Sequence, residues 1–365
     1  MHFGLPPKLA PEVSIAKIDL SAEELGRNLT IPGVAPSAQG EDLSIVGDCG
    51  VVLAQLMEEL DSAGWTPPEA DTNPWIKDLH LAGSRSMAKL APKLSTPTSP
   101  GQKLTYHRTF HLLQKAFAEL SSRGAGGAGG AGGEGEHWAD SCVFISEGAN
   151  TMDISRSILP SSLPRQRLDA GTDAAMGVGL GYAIAAWCAY NLPANGSSTP
   201  VLGAPKRKKI IALEGDSAFG FSAMEIETMA RYRMDIIIIV INNGGVYRGI
   251  EYSDTTGTHF PKWEEDPRRS QLTLPTTALS WHTDYAAMAD GLGARGVRVW
   301  GRGDGSNAVG GVEGDLVAGV RRAWDWSDGG VGGGRGPVLV DVEIESGEEK
   351  DLVFAWLAGE KGAKL

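Results

Sequence analysis

The sequence predicts an α/β protein, built on a parallel sheet with helices on both faces. Apolar stretches of strand length recur at 142–148 (CVFISEG), 208–216 (KKIIALEGD), 235–243 (DIIIIVINN) and 337–344 (PVLVDVEI). Between them lie longer segments of helical pattern, at 177–191 and 222–233. Runs as continuously apolar as DIIIIVINN leave no face for water, so helices must cover both sides. Strands alternating with helices imply parallel pairing through right-handed crossovers.

Taken in chain order, residues 1–65 hold VSIAKIDL and LSIVGDCGVVLAQLMEEL, strand-length runs ahead of a helical pattern. Too few strands are present there for a doubly wound unit, and the segment is expected to be part of a Rossmann-like central domain. Asp19 follows its first strand, where nucleotide-binding domains place an acceptor for a ribose hydroxyl. Residues 66–100, rich in Pro, Ser and Lys around one charged helical segment, are expected to form a linker. The main domain spans 101–350; its Gly/Ala tract at 124–136 can bury no core and reads as a loop, and 351–365 form a tail. Lys206, Arg207, Lys208 and Lys209 precede an apolar strand and read as a solvated edge that resists pairing.

Composition narrows the partners. The net charge of −12 opposes binding to nucleic acid or to an anionic membrane surface. No apolar run approaches the roughly 18 residues that cross a bilayer. Cys49, Cys142 and Cys188 are scattered and unpaired, as expected of packed free thiols in a reducing compartment. His107 and His111 share a helical face but lack a third ligand for zinc. The chain ends Ala363, Lys364, Leu365, a variant of the Ser-Lys-Leu peroxisomal address, so an import receptor is an expected partner and the peroxisome the expected location, with the cytoplasm otherwise.

The chemistry concentrates where strands end. Asp216 follows one strand and Asn243 closes the next, 27 positions on, an interval that fits strand, loop, helix and strand. One βαβ step makes those two loops neighbours at the carboxyl edge, where α/β sheets bind ligands. A carboxylate, an amide oxygen and a main-chain carbonyl form a hard-oxygen set suited to Mg²⁺, with phosphate oxygens completing its shell. Small residues around Asp216 admit a phosphate to backbone N–H groups, and a helix beginning near Phe221 is expected to direct its positive end there.

The segment GDSAFGFSAMEIETMARYRMDIIIIVINNGGVY resembles the diphosphate-binding motif of thiamine-diphosphate enzymes. The resemblance implies the thiamine-diphosphate-binding fold, with Mg²⁺ ligated by Asp216, the Asn243 side chain and the main-chain oxygen of Gly245. Gly215, Ser217 and Ala218 would cradle the diphosphate, with Val246 beside the cofactor; Ser217 stands where a third glycine is commoner. The upstream stretch SEGANTMDISRSILPSSLPRQRLDAGTDAAMGVGLGYAIAA is similar to the 2-hydroxyacyl-CoA lyase family, with oxalyl-CoA decarboxylase its nearest relative. It implies that Met176 wedges under the cofactor and that the main-chain oxygen of Ala174 accepts from the aminopyrimidine. Asp173 departs from the bulky residue usual at its position.

Tyr247 and Arg248 would either meet the acyl-CoA thioester or its phosphates, or pack on the rim. Glu147 and Asn150 either order their loop or share in the chemistry. The implied reaction cleaves a 2-hydroxy fatty acyl-CoA to formyl-CoA and an aldehyde one carbon shorter, as in fatty acid α-oxidation. The implied assembly is a homo-oligomer, a dimer or tetramer, in which a glutamate of an N-terminal pyrimidine-binding domain crosses the interface. No such domain is legible here, so the expectation is a chain that binds Mg²⁺ and diphosphate weakly and turns over little alone. Two alternatives stand beside it: oxalyl-CoA decarboxylase, and a non-catalytic paralogue that serves as a scaffold.

Overall fold

The computed structural model describes residues 16–25, 44–69, 72–123, 137–171, 174–192, 207–249, 276–280, 283–300, 311–327 and 336–347. Asp173, Lys206, the Gly/Ala tract and the terminal Ala363, Lys364 and Leu365 lie outside these residues. The chain divides into two compact units, residues 1–89 with 353–365, and residues 90–352.

In the first unit, β1 (Lys17–Asp19) pairs in parallel with β2 (Ser44–Val46). Helix α1 (Ala22–Leu25) follows the first strand and α2 (Cys49–Ser62) the second. Asp48 caps α2 by accepting from the N–H groups of Gly50 and Val51, which satisfies donors that a helix start leaves unpaired. Asp19 turns its carboxylate to its own backbone, accepting from Ser21 N at 2.9 Å. Helix α3 (Pro74–Ser95) occupies most of the segment expected as a linker; its Leu90 and Leu94 are residues of the second unit and pack on that unit's own core.

The second unit is organised by a sheet in which every pairing is parallel. Its strands are β3 (Cys142–Glu147), β4 (Arg167–Leu168), β5 (Lys209–Gly215), β6 (Ile236–Asn242), β7 (Arg295–Val299) and β8 (Val338–Glu343). Among the described residues their order is β4-β3-β5-β6-β8-β7. Helix α4 (Tyr106–Arg123) precedes them, and between them lie α5 (Ala149–Ile158), α6 (Gly179–Asn191), α7 (Asp216–Ser222), α8 (Glu225–Arg231), α9 (Tyr285–Gly291) and α10 (Gly311–Ser327).

Strand β6 shows why this sequence makes a two-sided layer. Ile237, Ile239 and Ile241 enter a core with Phe110 and Phe117 of α4 and Leu316 and Val320 of α10. Ile236, Ile238 and Val240 enter the other, with Leu180 and Ala183 of α6, Ile226 and Met229 of α8, and Tyr285 of α9. Alternate side chains of a strand point to opposite faces, so a run of β-branched residues serves two cores at once. Arg108 of α4 and Glu313 of α10 close the first core with a fork of two bonds, at 2.8 and 2.6 Å.

Two sequence expectations are corrected. The basic run does not mark an edge, because β5 lies inside the sheet between β3 and β6. Its cations instead tie down the amino edge: Arg207 pairs with Asp235 at 2.9 Å, Lys208 donates through its side chain to Asp140 O, and Lys209 Nζ reaches Ser327 Oγ at 2.8 Å. The helix expected near Phe221 begins at Asp216 itself. A carboxylate in a first helical turn faces the positive end of the backbone dipoles, which favours starting the helix there.

Candidate active site

The strand order places a crevice. From β3 the chain moves outward to β4, then returns to β5 on the other side of β3. Loops leaving β3 and β5 therefore diverge, and the gap between them at the carboxyl ends is where open α/β sheets take ligands. Glu147 ends β3, Gly215 ends β5, and the loop after β6 lies one strand further.

Asp216 is the hub of that crevice. It is 2% exposed; its Oδ2 accepts from Gly244 N at 2.8 Å and Gly245 N at 3.0 Å, and its Oδ1 from Ser217 N at 2.6 Å. These bonds fasten the β6 loop to the start of α7. Burial pushes the carboxyl up to about 6, against the pull of the three backbone donors. A cation bound there would favour the ionised form.

Asn243 completes the pair. Its Nδ2 donates to Tyr247 O at 3.0 Å, and Asn150 Nδ2 from α5 donates to the same oxygen at 2.7 Å. That carbonyl belongs to a residue with left-handed backbone, φ 58°, so the two amides hold a bend that a tyrosine adopts reluctantly. With its nitrogen engaged, Asn243 presents Oδ1, which is buried and has no hydrogen-bond partner among the described residues. An oxygen in that state is uncommon in folded proteins, and a bound cation is one explanation. Gly245 lies against the 276–280 segment: Val246 N donates to Thr277 O and Leu279 N to Gly244 O.

The bonds of Asp216 bring Ser217 together with Gly244 and Gly245; Gly215 and Ala218 flank Asp216 and Ser217 in the chain, and Asn243 and Val246 flank the two glycines. Met176 stands on the turn before α6 and is 65% exposed; the next residue, Gly177, sits against Phe221 of α7. Ala174 has left-handed backbone, φ 50°. Tyr247 is 55% exposed, and Arg248 O accepts from Gly347 N at 2.6 Å. Among the described residues no group of three or more His, Cys, Asp or Glu could hold a metal.

Two residues escaped the sequence reading, and a third was given no role in it. Tyr106 and Tyr285 are buried, and their phenols are pushed up first by burial and then by the charge of Asp216. Nothing in their local sequence marks them, since each begins a helix far along the chain. Glu214 was legible as a charge inside an apolar strand. It is fully buried, and burial followed by the charge of Glu147 holds its carboxyl well above the usual range.

With this geometry in place, likeness to known proteins can be stated. Residues 147–312 match the C-terminal TPP binding domain of thiamine pyrophosphate enzymes. That domain is present in this chain. The chain is 35% identical over 299 residues to human 2-hydroxyacyl-CoA lyase 1, covering 81% of this chain and 42% of that protein. It is 30% identical to the 2-hydroxyacyl-CoA lyase of Saccharomyces cerevisiae over 98% of this chain and 49% of that one. Oxalyl-CoA decarboxylase of Escherichia coli K12 follows, 31% identical over 69% of this chain and 35% of the relative. The chain thus spans less than half the length of these relatives. No helix among the described residues is long and apolar enough to cross a membrane.

Proposed function

We propose that this chain supplies the diphosphate- and metal-binding half of a carbon–carbon lyase that cleaves 2-hydroxyacyl-CoA to formyl-CoA and an aldehyde one carbon shorter. One observation carries the cofactor part of this reading: Asn243 Oδ1, buried and without a hydrogen-bond partner among the described residues, on the loop that Asp216 fastens. A carboxylate and a desolvated amide oxygen on adjacent loops are the donors a hard divalent cation selects. Mg²⁺ held by Asp216, Asn243 and the main-chain oxygen of Gly245 would neutralise a diphosphate received by the backbone of Gly215, Ser217 and Ala218. When bound, thiamine diphosphate supplies the electron sink that carbon–carbon cleavage requires.

This chain's own residues then have separable tasks. Asp216 and Asn243 hold the cation. Met176 would support the cofactor with an apolar side chain, Ala174 O would accept from its amino group, and Val246 would line the same site. Tyr247, on a bend fixed by two amides, faces the acyl-CoA. Assembly as a homo-oligomer and import into peroxisomes through Ala363, Lys364 and Leu365 belong to the same reading.

Calorimetry tests it. The wild-type chain should release heat with thiamine diphosphate and Mg²⁺, and lose it on chelation or on Asp216→Ala. No heat from the wild type would favour the scaffold alternative. Preference for oxalyl-CoA over a 2-hydroxyacyl-CoA, in a preparation that turns over, would favour the decarboxylase.

A further inference from the structure

The residue at the end of β3 binds backbone rather than solvent. Glu147 is 3% exposed. Its Oε1 accepts from Gly177 N, and its Oε2 accepts from Gly179 N at 2.6 Å. Those two amides flank Val178 at the start of α6, and Val178 offers no side-chain cap of its own. The first N–H groups of a helix have no partner within it, so a carboxylate from the neighbouring strand takes that role.

The arrangement is expensive for a plain helix cap. Glu147 stands beside Glu214 in the β3–β5 register, and Glu214 is fully buried with neither carboxyl oxygen hydrogen-bonded among the described residues. Gly179 fits between them only because it lacks a side chain: a Cβ there would lie 2.2 Å from Glu214 Oε1 and 2.6 Å from Glu147 Oε2. A serine or aspartate at position 178 would cap α6 without burying an acid in the sheet. What the carboxylate adds is a grip on both sides of a turn. Gly177 has φ 82°, and the residue before it, Met176, projects 65% exposed.

We propose that Glu147 is a positioning residue that clamps the turn at residues 174–179, fixing the outward projection of Met176 toward a thiamine-type cofactor. The proposal rests on the cofactor reading given above. It separates Glu147 from Asp216: the aspartate serves the diphosphate end of the ligand, the glutamate the ring end.

That separation is testable on the full chain with two probes, thiamine diphosphate and inorganic pyrophosphate, each with Mg²⁺. In Glu147→Gln the amide nitrogen confronts a backbone N–H. The affinity for thiamine diphosphate should fall about tenfold, the lower end for an outer-shell partner of a ligand site, while that for pyrophosphate stays within about twofold. Met176→Ala should weaken thiamine diphosphate in the wild type and add little in the Glu147→Gln background, because contacting residues that act together are not additive. Hydrogen exchange without ligand should show Gly177 and Gly179 protected in the wild type and released in Glu147→Gln, with β5 and β6 unchanged.

Equal weakening of both probes, or of neither, overturns the proposal and leaves Glu147 a structural cap. Should Glu147→Gln not fold, the wild-type exchange decides: Gly177 and Gly179 exchanging as fast as exposed loop amides excludes a clamp. If the wild type binds neither probe, the cofactor reading itself has failed and this proposal falls with it.

Discussion

Asp341 offers a test of the sheet that owes nothing to any ligand. It lies in the middle of β8, fully buried, with Asn242 Nδ2 at 3.2 Å and Trp300 Nε1 at 3.4 Å from its oxygens. Burial pushes its carboxyl from 3.8 up to about 7, against those two bonds. The sign follows from which state holds the proton. Well below pH 4 the folded and unfolded chains are both protonated and Asp341 is neutral in its effect. As pH rises toward 7, the unfolded chain gives up its proton while the folded one keeps it, so stability falls; above 7 the loss is complete.

At about 1.4 kcal/mol per pH unit, the full window is worth about 4 kcal/mol, and the part between pH 5 and 8 about 2.5 kcal/mol. Asp341→Asn removes the titration while keeping size and shape. Urea unfolding of both proteins at pH 5 and pH 8 should therefore show the variant gaining about 2.5 kcal/mol on the wild type across that interval. A gap that stays constant with pH would refute the reasoning, because every other titrating group is common to both.

Gly249→Ala would place a Cβ 2.0 Å from Asn243 O in a backbone of φ 68°, so the β6 loop must move; pyrophosphate with Mg²⁺ should bind at least about tenfold more weakly by calorimetry. Asn150→Ala removes a donor to Tyr247 O and should lower stability by about 1 kcal/mol, read in urea, with tighter thiamine diphosphate binding in Asn150→Ala counting against the role given to that bend. Arg108→Ala strands Glu313 among its remaining partners, Thr98 N included, and should cost about 3 kcal/mol at pH 7. The arginine holds the Glu313 carboxyl at about 2. The stabilisation is therefore present above pH 4.5 and lost as pH falls through 2, so acid unfolding of Arg108→Ala should begin at higher pH than that of the wild type.

How far the sequence carried depended on how each residue does its work. The β5 and β6 strands were legible because both faces are buried, and an unbroken β-branched run has few other structures open to it. Strand β7 was not: RGVRV sits at the rim of the described sheet, Arg295 stacks over Trp326 at 4.0 Å, and its pattern reads as polar. The two residues of β4 are too few for any periodicity. The Lys206–Lys209 run misled because charge was taken as a mark of an edge, whereas three of its members bind partners contributed from distant segments. The adjacency of the loops that carry Asp216 and Asn243 was readable from spacing, since one crossover has a narrow length. The clasp of Asn150 on Tyr247 O spans 97 positions and no local pattern encodes it.

The divergence of the loops after β3 and β5 has a consequence for how such a binding place can change over time. Its width is inherited from the spacing of two neighbouring strands, about 4.8 Å in any sheet, and its position from the point at which the chain reverses its direction of travel. Mutation can therefore redecorate the walls, lengthen either loop, or swap one guest for another of similar charge, while the address of the cleft within the molecule stays where the strand order put it.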